Sequence, residues 1–247
     1  MDAHARVADS VLPPRLVVIV AGGDVPERAA LDAAWPGWAD GLVGVLAADS
    51  GLAHAHTLGL RPDLLVGDLD SLGPDASAEA QAHGLPVLRS RVDKDESDTE
   101  LALLEALHLE PERIIVLGAF GGPRLDHALA NVWLLGLEAL AGQDVVLLDE
   151  RTRVSLVSAP APDGGAVTRS LMGRPGCLVT LLPLGGDAIG ITTHGLRYPL
   201  RDEDLRTGPA RGLSNVRELA EAAVTLRAGR LLVVEAAPAV SGLDSAP

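Results

Sequence analysis

From Arg15 to Leu148, short apolar runs alternate without a break with segments of helical period, and that order restricts the fold more than any other property of the chain. The pattern predicts strands over residues 15–21, 42–48, 64–67, 86–89, 113–117 and 144–148. Between them it predicts helices over 26–34, 51–58, 75–83, 98–108 and 124–140. Such alternation requires right-handed crossovers and yields a mostly parallel sheet covered by helices. After residue 150 the helical period nearly vanishes. Runs at 154–157, 178–182, 188–193, 196–200, 223–226 and 231–235 are separated by Gly, Pro and Asp, with one helical turn at 201–205. That is the pattern of a β-sandwich. The expected fold class is therefore α/β: a loose tail over 1–14, a mostly parallel Rossmann-like α/β domain over 15–150, and an all-β sandwich domain over 151–247.

Composition removes several function classes. A chain of 247 residues, 47% of them hydrophobic, can bury a sizeable core. Its formal net charge of -14 argues against a nucleic-acid partner, and an aromatic content of 2% leaves little for stacking single strands. The single Cys177 excludes a disulfide framework and fits a reducing cytoplasm. No apolar run reaches the roughly 18 residues of a membrane span, and the first residues lack the apolar segment of a secretory signal.

The densest chemistry lies at Gly67-Asp68-Leu69-Asp70-Ser71, where an apolar run ends in two carboxylates two residues apart. In extended backbone both point to one face. Held about 5 Å apart they repel by roughly 3 kcal/mol at an effective dielectric near 20. A divalent cation turns that repulsion into binding, and a site of few oxygen ligands suits Mg²⁺ holding phosphate oxygens. An Asp-x-Asp turn in solvent would present the same residues.

Other strand ends carry similar residues: Gly22-Gly23-Asp24, Asp49-Ser50-Gly51 and Gly118. Open parallel sheets bind ligands at this carboxyl edge. In the segment 93–100, Ser97 and Glu100 form a capping box for a helix whose buried row is expected at Leu101, Leu104 and Leu107. The capping box leaves Asp93, Lys94, Asp95 and Asp98 for a metal and nucleotide site. Farther on, Gly121-Gly122 precedes a helix start, where backbone N–H groups favour anions. On that helix Leu125, Leu129 and Val132 are expected to face the core, with Arg124, His127 and Asn131 forming a polar stripe. Trp35 and Trp38 read as packing or surface residues.

Taken in order, these motifs resemble the thiamine pyrophosphokinase family. The match runs through Asp49-Ser50-Gly51, Gly67-Asp68-Leu69-Asp70-Ser71, Lys94-Asp95, Asp98-Thr99-Glu100, Gly121-Gly122, Arg124-Leu125-Asp126-His127 and Asn131. It continues through Leu181-Leu182-Pro183-Leu184-Gly185, Gly195-Leu196-Arg197-Tyr198-Pro199-Leu200 and Gly212-Leu213-Ser214-Asn215. The resemblance implies transfer of a diphosphate group from ATP to the hydroxyl of thiamine, giving thiamine diphosphate and AMP. It implies Mg²⁺ on Asp68, Asp70 and Asp98, which are also the catalytic set. It implies ATP and phosphate contacts from Asp49, Lys94, Thr99, Gly121, Gly122, Arg124, Asp126, His127 and Asn131. Thiamine contacts fall to Ser214 and Asn215, in a homodimer whose site lies between subunits. Two departures stand out: Asp-Ser-Gly replaces the commoner Asp-Gly-Gly, and no aromatic residue follows Tyr198 to stack on the pyrimidine. Two alternatives share these acids: a pyrophosphokinase for another hydroxymethyl heterocycle such as a pterin, and a regulator that binds nucleotide or thiamine diphosphate without turnover.

Overall fold

The computed structural model describes residues 13–67, 84–89, 95–159 and 164–238. The expected helix at 75–83 and most of the N-terminal tail lie outside them. In the first half, β1 (Leu16–Val20), β2 (Leu42–Ala48), β3 (Leu64–Gly67), β4 (Val87–Arg89), β5 (Arg113–Leu117) and β6 (Asp144–Leu148) alternate with α1 (Arg28–Ala34), α2 (Gly51–Thr57), α3 (Asp98–Leu107) and α4 (Leu125–Leu134). The second half adds β7 (Thr152–Ala159), β8 (Val167–Ser170), β9 (Leu178–Pro183), β10 (Ala188–His194), β11 (Arg201–Leu205), β12 (Asn215–Val216), β13 (Ala223–Leu226) and β14 (Gly229–Ala236).

One sheet runs through both halves, in the order β12-β9-β14-β7-β6-β5-β1-β2-β3-β4. Its members from β6 to β4 are parallel; β7 joins β6 antiparallel, and β14, β9 and β12 continue antiparallel. A second, wholly antiparallel sheet, β11-β10-β13-β8, packs over the β7–β9–β14 end to complete the sandwich.

β1 shows why the first half is parallel. Leu16, Val18 and Val20 pack on one face with Leu31, Trp35 and Trp38, while Val17 and Ile19 pack on the other with Ala102, Leu103 and Ala106. A strand buried on both faces must be apolar throughout, which is the mark of a central parallel strand. Both tryptophans are buried, and their indole N–H groups donate to Asp149 O at 2.7 Å and Asp32 Oδ1 at 2.8 Å.

Several local expectations are corrected. The buried row of α3 is Ala102, Leu103 and Ala106, because small alanines let the helix approach the sheet; Leu101 and Leu107 pack only at the margin. The helix expected to run to residue 140 stops at Leu134, and a separate 3₁₀ turn covers Glu138–Leu140. Residues 201–205 form an edge strand, not a helical turn, with Asp204 Oδ1 accepting the Gly190 N–H at 2.9 Å. Residues 196–200 form no strand beyond an isolated bridge from Leu196 to Arg217.

Candidate active site

The ends of β5, β1, β2 and β3 lie side by side at the carboxyl edge of the sheet. After β1 the chain is laced to the segment leaving β5: Gly23 N–H donates to Gly118 O at 2.9 Å and Asp24 N–H to Phe120 O at 2.8 Å. A Cβ at Gly23 would stand 2.5 Å from Gly118 O, so this approach requires glycine. After β2, Asp49 turns into the left-handed region at φ 53 and donates its N–H to Val66 O at 2.9 Å.

Asp98 reaches this edge from the start of α3. Ser97 caps that helix, its Oγ accepting the Glu100 N–H at 3.1 Å, which fulfils its half of the expected capping box. Thr99 is half-buried in the same first turn. The Asp98 carboxyl carbon lies 3.9 Å from the point a Cβ on Gly67 would occupy, and Asp49 Cα lies 3.5 Å from that same point. Three separate segments therefore meet at Gly67. Asp68, Asp70 and Lys94 lie outside the described residues. Among the described residues, no three His, Cys, Asp or Glu side chains gather closely enough to hold a metal by themselves. The Asp98 carboxylate placed here is a hard oxygen donor of the kind Mg²⁺ takes, and Asp49 comes to the same point through its backbone.

Across the edge, Gly121 and Gly122 take φ values of 73 and 72 in an exposed turn. The Gly121 backbone lies against the Asp24 carboxylate, an acid that sequence reading noted at a strand end without giving it a role. Arg124 follows and grips Asp126, with Nε to Oδ1 at 2.9 Å and Nη2 to Oδ2 at 2.5 Å. That fork holds the Asp126 carboxyl down to about 2, so it is ionised at any physiological pH. His127 is exposed beside the pair.

Asn131 leaves the expected stripe. It is buried, and its amide donates to Ala119 O at 2.9 Å, tying α4 to the end of β5. Asn131→Ala orphans that carbonyl and is expected to cost about 1–3 kcal/mol, measured by urea denaturation. The apolar row of α4 also differs from expectation. Leu125 is 72% and Trp133 61% exposed, with Leu129 exposed between them, while Val132 packs inward. The helix turns its Leu125–Leu129–Trp133 stripe away from the core.

The residues expected to meet thiamine lie elsewhere. Ser214 takes φ 56 and donates its N–H to Thr180 Oγ1 at 3.0 Å. Asn215 donates Nδ2–H to Tyr198 O at 2.8 Å, and its Oδ1 accepts the N–H groups of Tyr198 at 3.1 Å and Val216 at 2.8 Å. Its carboxamide thus fixes the backbone of Tyr198, a residue that is 65% exposed. Tyr198 is the one tyrosine of an aromatic-poor chain, a signal that could have marked it. Asn215 opens β12, at the far margin of the large sheet from β3. At about 4.8 Å per strand, the two places are separated by roughly 40 Å along the sheet. A single chain does not bring them together.

Known proteins match both halves. The model of the thiamin pyrophosphokinase catalytic domain matches residues 42–146, and that of the thiamin pyrophosphokinase vitamin B1 binding domain matches residues 170–231. Thiamine pyrophosphokinase of Bacillus subtilis is 25% identical over 201 residues, which is 81% of this chain and 89% of that protein. Thiamine pyrophosphokinase 1 of rice, Oryza sativa subsp. japonica, is 28% identical over 164 residues, 64% of this chain; the match spans 60% of the rice protein's length. The crystal structure of the Bacillus subtilis enzyme aligns with a TM-score of 0.75 at 25% identity, covering 90% of this chain and 99% of that one. Yeast thiamin pyrophosphokinase, at 14% identity, shares the fold with a TM-score of 0.70. The two domain models fall in order on the two halves and together take in more than half of the 247 residues, so the chain belongs to the thiamine pyrophosphokinase family.

Proposed function

We infer that the protein transfers the diphosphate of ATP to thiamine, releasing thiamine diphosphate and AMP. The observation that carries this reading is the Asp98 carboxyl set against Gly67, directly before Asp68-Leu69-Asp70 in the chain, with Asp49 alongside. The thiamine hydroxyl oxygen forms a bond to the β-phosphorus, the bridging oxygen between α and β phosphorus leaves with AMP, and one of the aspartates accepts the hydroxyl proton. Asp68, Asp70 and Asp98 would hold Mg²⁺, which when bound neutralises triphosphate charge.

The remaining residues position the nucleotide. The amides of Gly121 and Gly122, at the start of a helix, meet phosphate oxygens, as do Lys94 and Arg124. Arg124 must loosen its hold on Asp126 to do so. Both side chains of that pair are mostly exposed, and exposed pairs are worth little, so a phosphate can displace the carboxylate. Asp49, Thr99, His127 and Asn131 complete the nucleotide side, Asn131 by fixing the turn. Residues 15–150 thus serve ATP and residues 151–247 serve thiamine, with Ser214 and the exposed Tyr198 ring facing the vitamin and Asn215 holding Tyr198 in place. Ring packing of this kind adds about 0.5–1.5 kcal/mol beyond area burial.

The separation between the two half-sites supports a homodimer in which each chain's thiamine residues face its partner's nucleotide edge. The exposed Leu125–Leu129–Trp133 stripe, on the helix that starts at the phosphate turn, is the surface such a partner would cover. Trp133→Glu is expected to shift the protein to monomer in sedimentation velocity and to lower turnover with it. A cytoplasmic setting belongs to the same reading: Cys177 is a free thiol, and no helix among the described residues is long and apolar enough to cross a membrane.

The deciding experiment follows AMP release with thiamine, with a hydroxymethylpterin and with no acceptor. AMP formed with thiamine alone supports the reading. AMP formed with the pterin instead assigns another heterocycle, and tight nucleotide binding with no AMP from any acceptor assigns a regulator.

A further inference from the structure

The large sheet has a notch on the side away from the candidate active site. β7 pairs with β14 along its whole length, but β6 accompanies it only from Arg153 to Ser155. Beyond Ser155, where the pairing of β7 with β6 stops, a cavity of about 450 Å³ lies between Asp144 and Val145 of β6, residues 156–158 of β7, and β8. That volume falls within the range of small-molecule sites. Part of its wall is apolar, from Leu135, Leu140 and Val167, and four arginines line it: Arg113, Arg153, Arg169 and Arg230. Only Asp144 and Glu138 stand against them in the lining, although the chain as a whole carries a formal charge of -14.

Structural pairing accounts for part of this cluster. Asp144 accepts Arg113 Nε at 2.7 Å and Arg169 Nη1 at 2.7 Å, so one carboxylate answers two guanidiniums. Burial pushes the Asp144 carboxyl up, but Arg169 and Arg113 outweigh it and leave it below its usual value, hence ionised. Arg153 pairs with Glu235, just outside the lining. Arg230 bonds a neutral carbonyl, Gly136 O, at 3.1 Å and makes no ion pair among the described residues. Even with Glu138 counted against it, the lining keeps an excess of positive charge. Two residues from Arg153 on β7, the buried Ser155 hydroxyl has no hydrogen-bond partner among the described residues.

We propose that this notch is a second, non-catalytic binding site for a phosphate monoester carried on an apolar body, with Arg169 and Arg230 taking the phosphate oxygens. Planar guanidiniums suit phosphate by fork geometry, and the Leu135–Leu140 wall shelters the apolar part. The site is separate from the catalytic edge. Arg113 and Asp144 begin the strands whose far ends reach that edge, roughly 17 Å away at 3.3 Å per residue. The proposal is independent of the diphosphate-transfer reading.

Its test is calorimetric titration of the full chain with 1-naphthyl phosphate in magnesium-free buffer containing a chelator. One equivalent is expected to bind, at least tenfold more weakly in Arg169→Gln/Arg230→Gln and unchanged in Asp98→Asn. Arg230→Gln alone alters an exposed side chain and is expected to weaken binding about threefold, which keeps the test open should the double variant not fold. Absence of saturable binding, affinity untouched by Arg230→Gln, or binding lost in Asp98→Asn would each overturn the site.

Discussion

Asp98→Asn is expected to slow AMP release by about 10²–10³-fold while leaving the melting temperature nearly unchanged. The expected magnitude follows from removing one fixed electrostatic contact to charge that moves during transfer, worth about 3–4 kcal/mol. Stability should not follow. Asp98 sits in the first turn of α3, where its charge earns about 0.3–1 kcal/mol from the helix dipole. The helix keeps its Ser97 cap, and Asn preserves the shape beside Gly67. Asp70→Asn is expected to behave alike if both acids serve the same triphosphate. Initial rates of AMP formation at saturating ATP and thiamine, set beside thermal melts, measure both quantities. A variant with near-normal turnover would remove Asp98 from the reaction.

Glu235→Ala is the substitution with the largest expected effect on stability. Glu235 is 1% exposed in the body of β14. Its Oε2 accepts Arg153 Nη1 at 2.7 Å, and its Oε1 accepts the N–H groups of Met172 at 2.5 Å and Gly173 at 2.9 Å. Arg153 is itself 7% exposed, and burial pulls its guanidinium below the usual arginine value despite Glu235 beside it. Alanine would strand this buried cation and two backbone donors together. Breaking a buried pair from one side costs about 3–5 kcal/mol, which for a chain of this size lowers the melting temperature by about 6–20 °C. Glu235→Gln, which keeps an acceptor and the volume, should lose less. A loss below about 1 kcal/mol in the alanine variant would mean that Arg153 finds water or another anion once Glu235 is gone.

That ion pair also shows where sequence reading runs out. Glu235 closes the run 231–235, and nothing beside it in the sequence points to a buried pair; its partner is 82 residues away, and no local pattern connects them. The parallel strands, by contrast, were legible almost to the residue, because burial on both faces demands an unbroken apolar run and permits little else at β1, at β5 and in the last five residues of β2. The edge strand β11 was not, since Arg-Asp-Glu-Asp-Leu pairs with β10 through an irregular register and needs no alternation. On α4, Leu125 and Leu129 have the spacing of a core-facing row, but burial depends on what stands opposite, and nothing among the described residues does. The grouping of Asp98 with Asp68 and Asp70 came from the family resemblance; the structure sets the Asp98 carboxyl near Gly67, while Asp68 and Asp70 lie outside the described residues. The inward turn of Asn131 was not legible, because a buried amide satisfying a strand-end carbonyl has the same sequence appearance as one aimed at a ligand.

The seam between β6 and β7 governs how this polypeptide can be dissected. A tight hairpin joins them, with Asp149 Oδ1 accepting the N–H groups of Arg151 at 2.7 Å and Thr152 at 2.6 Å, and Val154 and Leu232 share one core with Val17 and Ile114. A gene severed at this hairpin would yield two fragments, each with a raw strand edge and a bare greasy flank. Unpaired edges of that kind recruit other chains. Neither fragment should be expected to behave as a well-mannered reagent, so the proposed division of ATP and thiamine between the halves has to be tested by point substitution in the intact polypeptide.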